Sequence, residues 1–310
     1  MRNGRPAELV LGSVQLGLAY GAANRTGKPP CETALRLVRR AANAGVAVFD
    51  TARAYGDAEE RLGAALAGRS SLRTITKLAP LTDLPADAAP ETVRAAVDKS
   101  IAESQAALRR QTLDCLLLHR ADHIADFNGA IWQRLNEHLE AGRIAALGVS
   151  VQTPAEAHAA LAQKGVSHIQ LPFNLLDWRW REAGAIGALQ ARPDVTVHIR
   201  SVFLQGLLTA DDPAIWPRIA GVDPIAVIDW LGRCAKSLGR DGIADLALSY
   251  TRGQAWVDGV VVGQETEAQL EDNLRLCARS PLSPEDCARL EKSAPRLPEA
   301  LLNPAQWQPQ

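Results

Sequence analysis

The sequence predicts an α/β fold, a (β/α)8 TIM barrel, on three observations. Short β-branched or Leu-rich runs alternate with longer Ala-rich stretches of helical period eight times in succession. No G-x-G-x-x-G follows the first run, although a doubly wound sheet built on the same alternation normally carries one; the stretch from Leu11 to Gly17 is too loose a match. Polar, titratable side chains close or follow several of the runs, where parallel barrel strands deliver their last residues to one face.

The runs lie at 9–12, 46–50, 73–77, 114–119, 145–150, 168–171, 196–200 and 259–262. Helical stretches are predicted between and after them at 32–44, 57–68, 91–109, 127–141, 154–163, 182–191, 224–238 with 242–252, and 266–278. Thr153-Pro154, with Glu156 close behind, reads as a cap followed by proline at the first helical position. Gly45, Gly142 and Gly165 stand where helices are expected to stop. With no internal repeat and no low-complexity linker, residues 1–310 are expected to form a single barrel domain.

The composition is that of an ordinary soluble enzyme, 47% hydrophobic and 22% charged, and the formal charge of −1 offers no bulk attraction for nucleic acid or anionic membranes. A small molecule is the expected partner, and the oligomeric state is left open. The five cysteines contain no C-x-x-C pair and read as small buried hydrophobes, so neither a disulfide framework nor a metal site is expected. The basic residues near Met1 have no apolar segment behind them and no stretch is long enough to span a bilayer, so a cytoplasmic location is expected.

Four residues carry the chemistry: Asp50 and Tyr55 in Phe49-Asp50-Thr51-Ala52-Arg53-Ala54-Tyr55-Gly56, Lys77 closing Thr74-Ile75-Thr76-Lys77, and His119 closing Leu116-Leu117-Leu118-His119. In a barrel they converge at the ends of the second, third and fourth strands. A lysine buried beside an aspartate stays charged, and a cation beside a phenol favours its anion, which fits Tyr55 for proton transfer. A nearby histidine can hydrogen-bond a carbonyl oxygen. The group suits proton delivery to a carbonyl but holds no source of hydride, so a nicotinamide cofactor is implied. Singly, each residue is more often a surface or capping group; their joint placement raises them above that.

These segments, followed by Gly148-Val149-Ser150, Gln170-Leu171-Pro172-Phe173-Asn174, Gln205-Gly206-Leu207-Leu208 and the stretch from Gly263 to Asn273, resemble the aldo-keto reductases in order and spacing over about residues 9–275. The resemblance implies Tyr55 as general acid in reduction and base in oxidation, Asp50 and Lys77 tuning it, and His119 holding the carbonyl. It also implies a cofactor site drawn from Gly12, Ser150, Gln170, Asn174, Arg200, Ser201, Phe203, Gly206, Gly263, Glu265, Gln269 and Asn273. Three positions depart from the family pattern. Val151 replaces an asparagine, and Arg200 stands where an aromatic ring often stacks on the nicotinamide, leaving either its guanidinium or Phe203 to do so. No Lys or Arg occurs between Arg252 and Arg275, where Glu265 and Glu267 lie instead, so the expectation leans to NAD(H) over NADP(H).

Three loop features are expected to shape the substrate pocket: the stretch 17–28 with Tyr20, Arg120 directly after His119, and 177–180 with Trp178. Indoles beside polar groups suit an aldose or related sugar. Packing under the barrel rim explains Trp178 and Trp180 equally well. His123, His138, His158, His168 and His198 lack ligand spacing and read as structural groups. Two other classes share parts of the pattern. A slow nicotinamide-binding subunit acting through a protein partner would keep the same four residues, whereas a metal-dependent barrel hydrolase would need more His and carboxylate ligands at strand ends.

Overall fold

The computed structural model describes residues 6–209 and 211–307. Eight parallel strands close into a barrel in sequence order: β1 Glu8–Gly12, β2 Val48–Asp50, β3 Arg73–Lys77, β4 Cys115–Leu118, β5 Leu147–Ser150, β6 His168–Pro172, β7 Thr196–Arg200 and β8 Gly259–Gly263. Every residue of β4, β5 and β6 is buried, as expected of strands packed by helices on one side and by the barrel interior on the other. The register sets the strand ends in one layer: Gly12 pairs with Asp50 and with Gly263, Lys77 with Leu117, and Ser150 with Gln170.

The helices follow from local chemistry. Pro90–Leu108, Pro154–Leu161 and Pro224–Ser237 each begin with proline, whose fixed φ and missing N–H cost nothing at that position. Asp223 caps the last of these through the amides of Ile225 and Ala226. Gly45, Gly142 and Gly165 all take left-handed backbone where the chain leaves a helix, as expected.

Four segments differ from the sequence expectation. The helix anticipated from 127 begins at Ala130, because Phe127, Asn128 and Gly129 all adopt positive φ. The stretch anticipated at 182–191 is two short helices, Arg179–Glu182 and Ala185–Gln190, divided at Gly184 with φ +69°. A short helix, Val14–Gly17, interrupts the expected first loop. Beyond 278 the chain forms two further helices, Pro284–Ser293 and Glu299–Leu302, and the Ser283-Pro284-Glu285-Asp286 signature could have revealed the first of them.

Inside the barrel Val10, Val48, Ile75, Cys115 and Leu117 form one packed cluster. Burial pushes the Cys115 thiol up to about 12, which makes it inert. His168 and His198, also fully interior, meet edge to face with ring centroids 4.4 Å apart. Gly259 makes room for them, since a Cβ there would lie 2.7 Å from the His198 ring. Among the described residues the five cysteines are free and no helix is long and apolar enough to cross a membrane.

Burial, with smaller contributions from Lys77 and Arg73, lowers His168 to about 3, and burial together with His168 holds His198 well below its ordinary value. Both rings are therefore neutral in the fold, while the unfolded chain protonates them near the ordinary value. Stability is full above about pH 6.5 and falls as the pH drops below it, by about 2 kcal/mol at pH 5 from His168 alone. Urea unfolding at pH 7.5 and pH 5.0 checks this, and equal midpoints at the two values would contradict it.

Candidate active site

The Lys77 side chain ends inside the protein, 1% exposed, and its ammonium is fully committed. It donates to Asp50 Oδ1 at 2.8 Å, to Asp50 Oδ2 at 2.9 Å and to the Thr51 carbonyl at 2.8 Å. Burial pulls the ammonium down, but the Asp50 carboxylate and the Tyr55 oxygen outweigh it and hold Lys77 above its ordinary value, so it stays charged. Gln170, expected at the nicotinamide, donates from Nε2 to Asp50 Oδ2 at 2.7 Å and completes the carboxylate's shell. Its Oε1 is buried without a protein partner among the described residues.

Tyr55 lies above this pair, its ring centroid 5.1 Å from Lys77 Nζ. The His119 ring meets it edge on, with centroids 5.8 Å apart and planes at 87°. Burial, then the charges of Lys77, Arg200 and His123, lower His119 to about 3. The imidazole is thus neutral at any working pH and carries one N–H. Its Nδ1 has no partner within the described protein.

Two glycines set the position of Tyr55. A Cβ on Gly17 would lie 1.8 Å from the Tyr55 carbonyl oxygen, and one on Gly56, whose φ is +57°, would lie 2.5 Å from the Gly17 carbonyl oxygen. The short helix after β1 and the turn after β2 therefore meet backbone to backbone. Beneath that turn is a carboxylate that the sequence reading missed, Glu59, which is fully buried. It accepts from Thr76 Oγ1 at 2.5 Å and pairs with Arg53, tying the turn to the end of β3.

Asp50, Tyr55 and His119 open into a cavity of about 890 Å³, within the size range of small-molecule and cofactor sites. Of the other residues singled out from the sequence, Gly12, Tyr20, Ser150, Arg200, Ser201, Phe203, Gly206, Gly263, Glu265, Gln269 and Asn273 line it. Ser13 and Gln15, which also line it, were not foreseen; Ser13 Oγ and Gln15 Oε1 are buried with no protein partner among the described residues, as suits a polar ligand. Tyr20 and Gln205 bridge one rim at 3.5 Å. These features fit an extended, polar cofactor such as a dinucleotide.

Four of the other expected residues, Gln170, Asn174, Trp178 and Arg120, do not line this cavity. Gln170 lies beneath the cavity against Asp50. Asn174 is 1% exposed and spends its amide on the Ser201 carbonyl at 3.4 Å and the Leu176 amide at 3.0 Å, which makes it a brace between two loops. Trp178 donates to the Leu297 carbonyl at 2.9 Å and is covered by the Arg296 guanidinium 3.7 Å from its ring, so the C-terminal segment occupies the face a sugar would need. Trp180 is core, and Arg179 is locked to Asp177 by two hydrogen bonds of 2.9 and 2.7 Å. Arg120 lines a smaller adjoining pocket that shares His119, Ser150 and Arg200 with the cavity. Arg200 is held in place: its Nη2 donates to Gln152 Oε1 at 2.7 Å and to the Val151 carbonyl at 3.3 Å, so the two departures from the family pattern contact each other.

At the far end, Thr266 and Gln269 form a capping box at the start of Glu267–Ala278, and the Gln269 side chain also holds Glu265. The cations nearby are already paired. Arg275 donates to Asp241 Oδ2 at 2.6 Å, Arg36 to Glu267 Oε1 at 2.9 Å, and Arg40 to Glu271. Among the described residues no cluster of three or more His, Cys, Asp or Glu could hold a metal.

The chain matches the model of the Aldo/keto reductase family over residues 8–295, and it belongs to that family. That family consists of oxidoreductases that use nicotinamide cofactors on small-molecule carbonyls. A 6-dehydroglucose reductase from Novosphingobium aromaticivorans is 34% identical over 136 residues, covering 40% of this chain and 43% of that protein. The match thus spans less than half of that relative's length. The barrel is similar to the holo form of aldo-keto reductase AKR11C1 from Bacillus halodurans, with a TM-score of 0.73 and 23% identity over 94% of this chain and 93% of that one. The apo form of the same reductase gives a TM-score of 0.67 at 22% identity over 91% and 92% of the two chains.

Gly17→Ala is expected to destabilise the protein by about 1–3 kcal/mol, because a methyl group there meets backbone that cannot move aside. It should also displace the Tyr55 turn and lower turnover. Gly187→Ala is the control, since a Cβ there meets nothing within 4 Å, and it should be neutral or slightly stabilising. Urea unfolding of the two variants, with equal losses in both, would refute the assignment.

Proposed function

We propose that residues 1–310 act as one domain, an NAD(P)(H)-dependent oxidoreductase. It reduces an aldehyde or ketone, or in the reverse sense oxidises an aldose or alcohol, with Tyr55 as proton donor and acceptor. The observation that carries this reading is the charged Lys77 held by Asp50 below Tyr55, with a neutral His119 edge on to the same ring. A nicotinamide supplies the hydride, which no side chain here can provide. Tyr55 gives its proton to the carbonyl oxygen, and the Lys77 charge stabilises the phenolate left behind. Asp50 keeps Lys77 charged and fixed, and Gln170 holds Asp50 in turn. The neutral His119 ring donates its one N–H to the carbonyl oxygen, orienting it for proton transfer.

Gly12, Ser150, Ser201, Phe203, Gly206, Gly263, Glu265, Gln269 and Asn273 would hold the cofactor, and the unpartnered Gln170 Oε1 is an acceptor for an amide N–H. At the far end Arg275, Arg36 and Arg40 are each paired with a carboxylate, and Glu265 lines the cavity. That balance favours a free ribose 2′-hydroxyl over a 2′-phosphate, hence NAD(H). The relative's name, a reductase of 6-dehydroglucose, supports an oxidised sugar as substrate.

Tyr55→Phe is expected to reduce turnover by about 10²–10⁴-fold while leaving cofactor binding nearly intact, since only the proton donor is lost. Absorbance at the reduced nicotinamide band, over a panel of sugars and aldehydes, reads the first quantity, and fluorescence titration reads the second. Wild-type turnover in the variant would sink the assignment of Tyr55, whereas cofactor binding without turnover in the unaltered protein would favour a nicotinamide-binding subunit that works through a protein partner. NADH is expected to bind at least as tightly as NADPH in the same titration, and a large NADPH preference would overturn the cofactor reading.

A further inference from the structure

Beside His119 a second pocket of about 200 Å³ opens between the ends of β4, β5 and β7. His119, Ser150 and Arg200 line both this pocket and the main cavity, so the two are joined at the position where the carbonyl is expected. Two arginines, Arg120 and Arg200, line it. Arg200 is held rather than free. Its Nη2 donates to Gln152 Oε1 at 2.7 Å, and Gln152 Nε2 donates onward to Asn303 Oδ1 at 3.1 Å, so the C-terminal segment braces the arginine through one glutamine. Only Nη2 of Arg200 is engaged by the described protein, which leaves its other N–H groups for a ligand.

Arg120 supplies the second cation. Its one carboxylate contact, Asp122 Oδ2 at 3.6 Å, is long, and the two side chains are 48% and 72% exposed, so this contact competes weakly for the guanidinium. The other carboxylate in the pocket, Glu156, accepts from the Gln152 amide at 2.7 Å and helps start the helix Pro154–Leu161. At the adjoining His119 ring the charges of Lys77, Arg200 and His123 all oppose protonation.

Resting on the reading of the site as a carbonyl reductase, we propose that this pocket, walled by Arg120 and a Gln152-braced Arg200, binds an anionic oxygen group on the substrate. The preferred substrates are then carbonyl compounds bearing a carboxylate or phosphate, with the carbonyl at His119 and the anion between the arginines. A planar guanidinium matches either oxyanion in bidentate fashion, and the bond is charge-assisted. Gln152 is a positioning residue in this arrangement, because it acts through Arg200.

The test compares kcat/KM, with saturating NADH, for substrates matched except in charge. Butanal against 4-oxobutanoate is the carboxylate arm, and glyceraldehyde against its 3-phosphate is the phosphate arm. The anionic member is expected to be preferred by about tenfold or more in at least one arm, with the larger ratio identifying which oxyanion fits. Arg120→Gln and Arg200→Gln should each cut that ratio about tenfold, and 0.5 M NaCl should shrink it in the wild type. Gln152→Ala should raise KM for the anionic member more than it lowers kcat, with Gln152→Asn restoring part of the loss. Ratios near one in both arms, or ratios that neither arginine variant changes, overturn the proposal. It is also overturned if Arg200→Gln weakens NADH binding while the ratio stands, because Arg200 then serves the cofactor. Absence of turnover with every carbonyl and both nicotinamides is a different result, which refutes the reductase reading itself.

Discussion

A lysine ammonium buried to 1% exposure has to be satisfied by the protein, and the Lys77–Asp50 pair is the interaction on which the rest of the site depends. Removing either partner would strand a charge in a region with little access to water, so the pair constrains everything around it. The third donor of the ammonium goes to the Thr51 carbonyl, which fixes the chain leaving β2. Gln170, reaching from β6 across the barrel mouth, fills the remaining side of the carboxylate. Strands β2, β3 and β6 are thereby joined at one polar knot, and Tyr55 is set above it.

The knot is possible only because its surroundings are packed without slack. Gly17 and Gly56 bring two loops into backbone contact beside Tyr55, and buried Glu59 gathers Thr76 and Arg53 under the same turn. Around the cation three histidines are kept uncharged. His119 is neutral at the cavity wall, and His168 with His198 are neutral in the interior below. The positive field of Lys77 and Arg200 is therefore left for an oxygen that gains negative charge, which is the kind of preorganised environment that stabilises a transition state without rearrangement.

Val151 and Arg200, both departures from the family pattern, contribute to one device. With no amide side chain at position 151, the Arg200 guanidinium approaches the Val151 carbonyl and takes Gln152 as its partner. An aromatic residue at position 200 could do neither. The helices beyond residue 278 complete the arrangement, because Asn303 steadies Gln152 while Leu297 and Arg296 cover Trp178. A segment outside the motifs that resemble the family thus bears on the proposed substrate pocket.

The eight strands, their order and the cluster of Asp50, Tyr55, Lys77 and His119 were legible in the sequence, because strand period, helix stops and strand-end position are local or nearly local properties. The break at Gly184 and the left-handed run at residues 127–129 were not, since short-range pattern does not say when an Ala-rich or polar stretch will leave the helix. Motif position marks Gln170 and Asn174 as ligand contacts but does not show that long-range packing commits Gln170 Nε2 to Asp50, with Oε1 left unpartnered, and Asn174 Nδ2 to Ser201. Trp178 resembled a pocket residue until residues 296 and 297, over a hundred positions away, proved to cover it. Sequence by itself determined which groups reach the mouth of the barrel. Tertiary structure decided where each side chain spends its hydrogen bonds, because those partners come from strands and tails that only the closed barrel brings together.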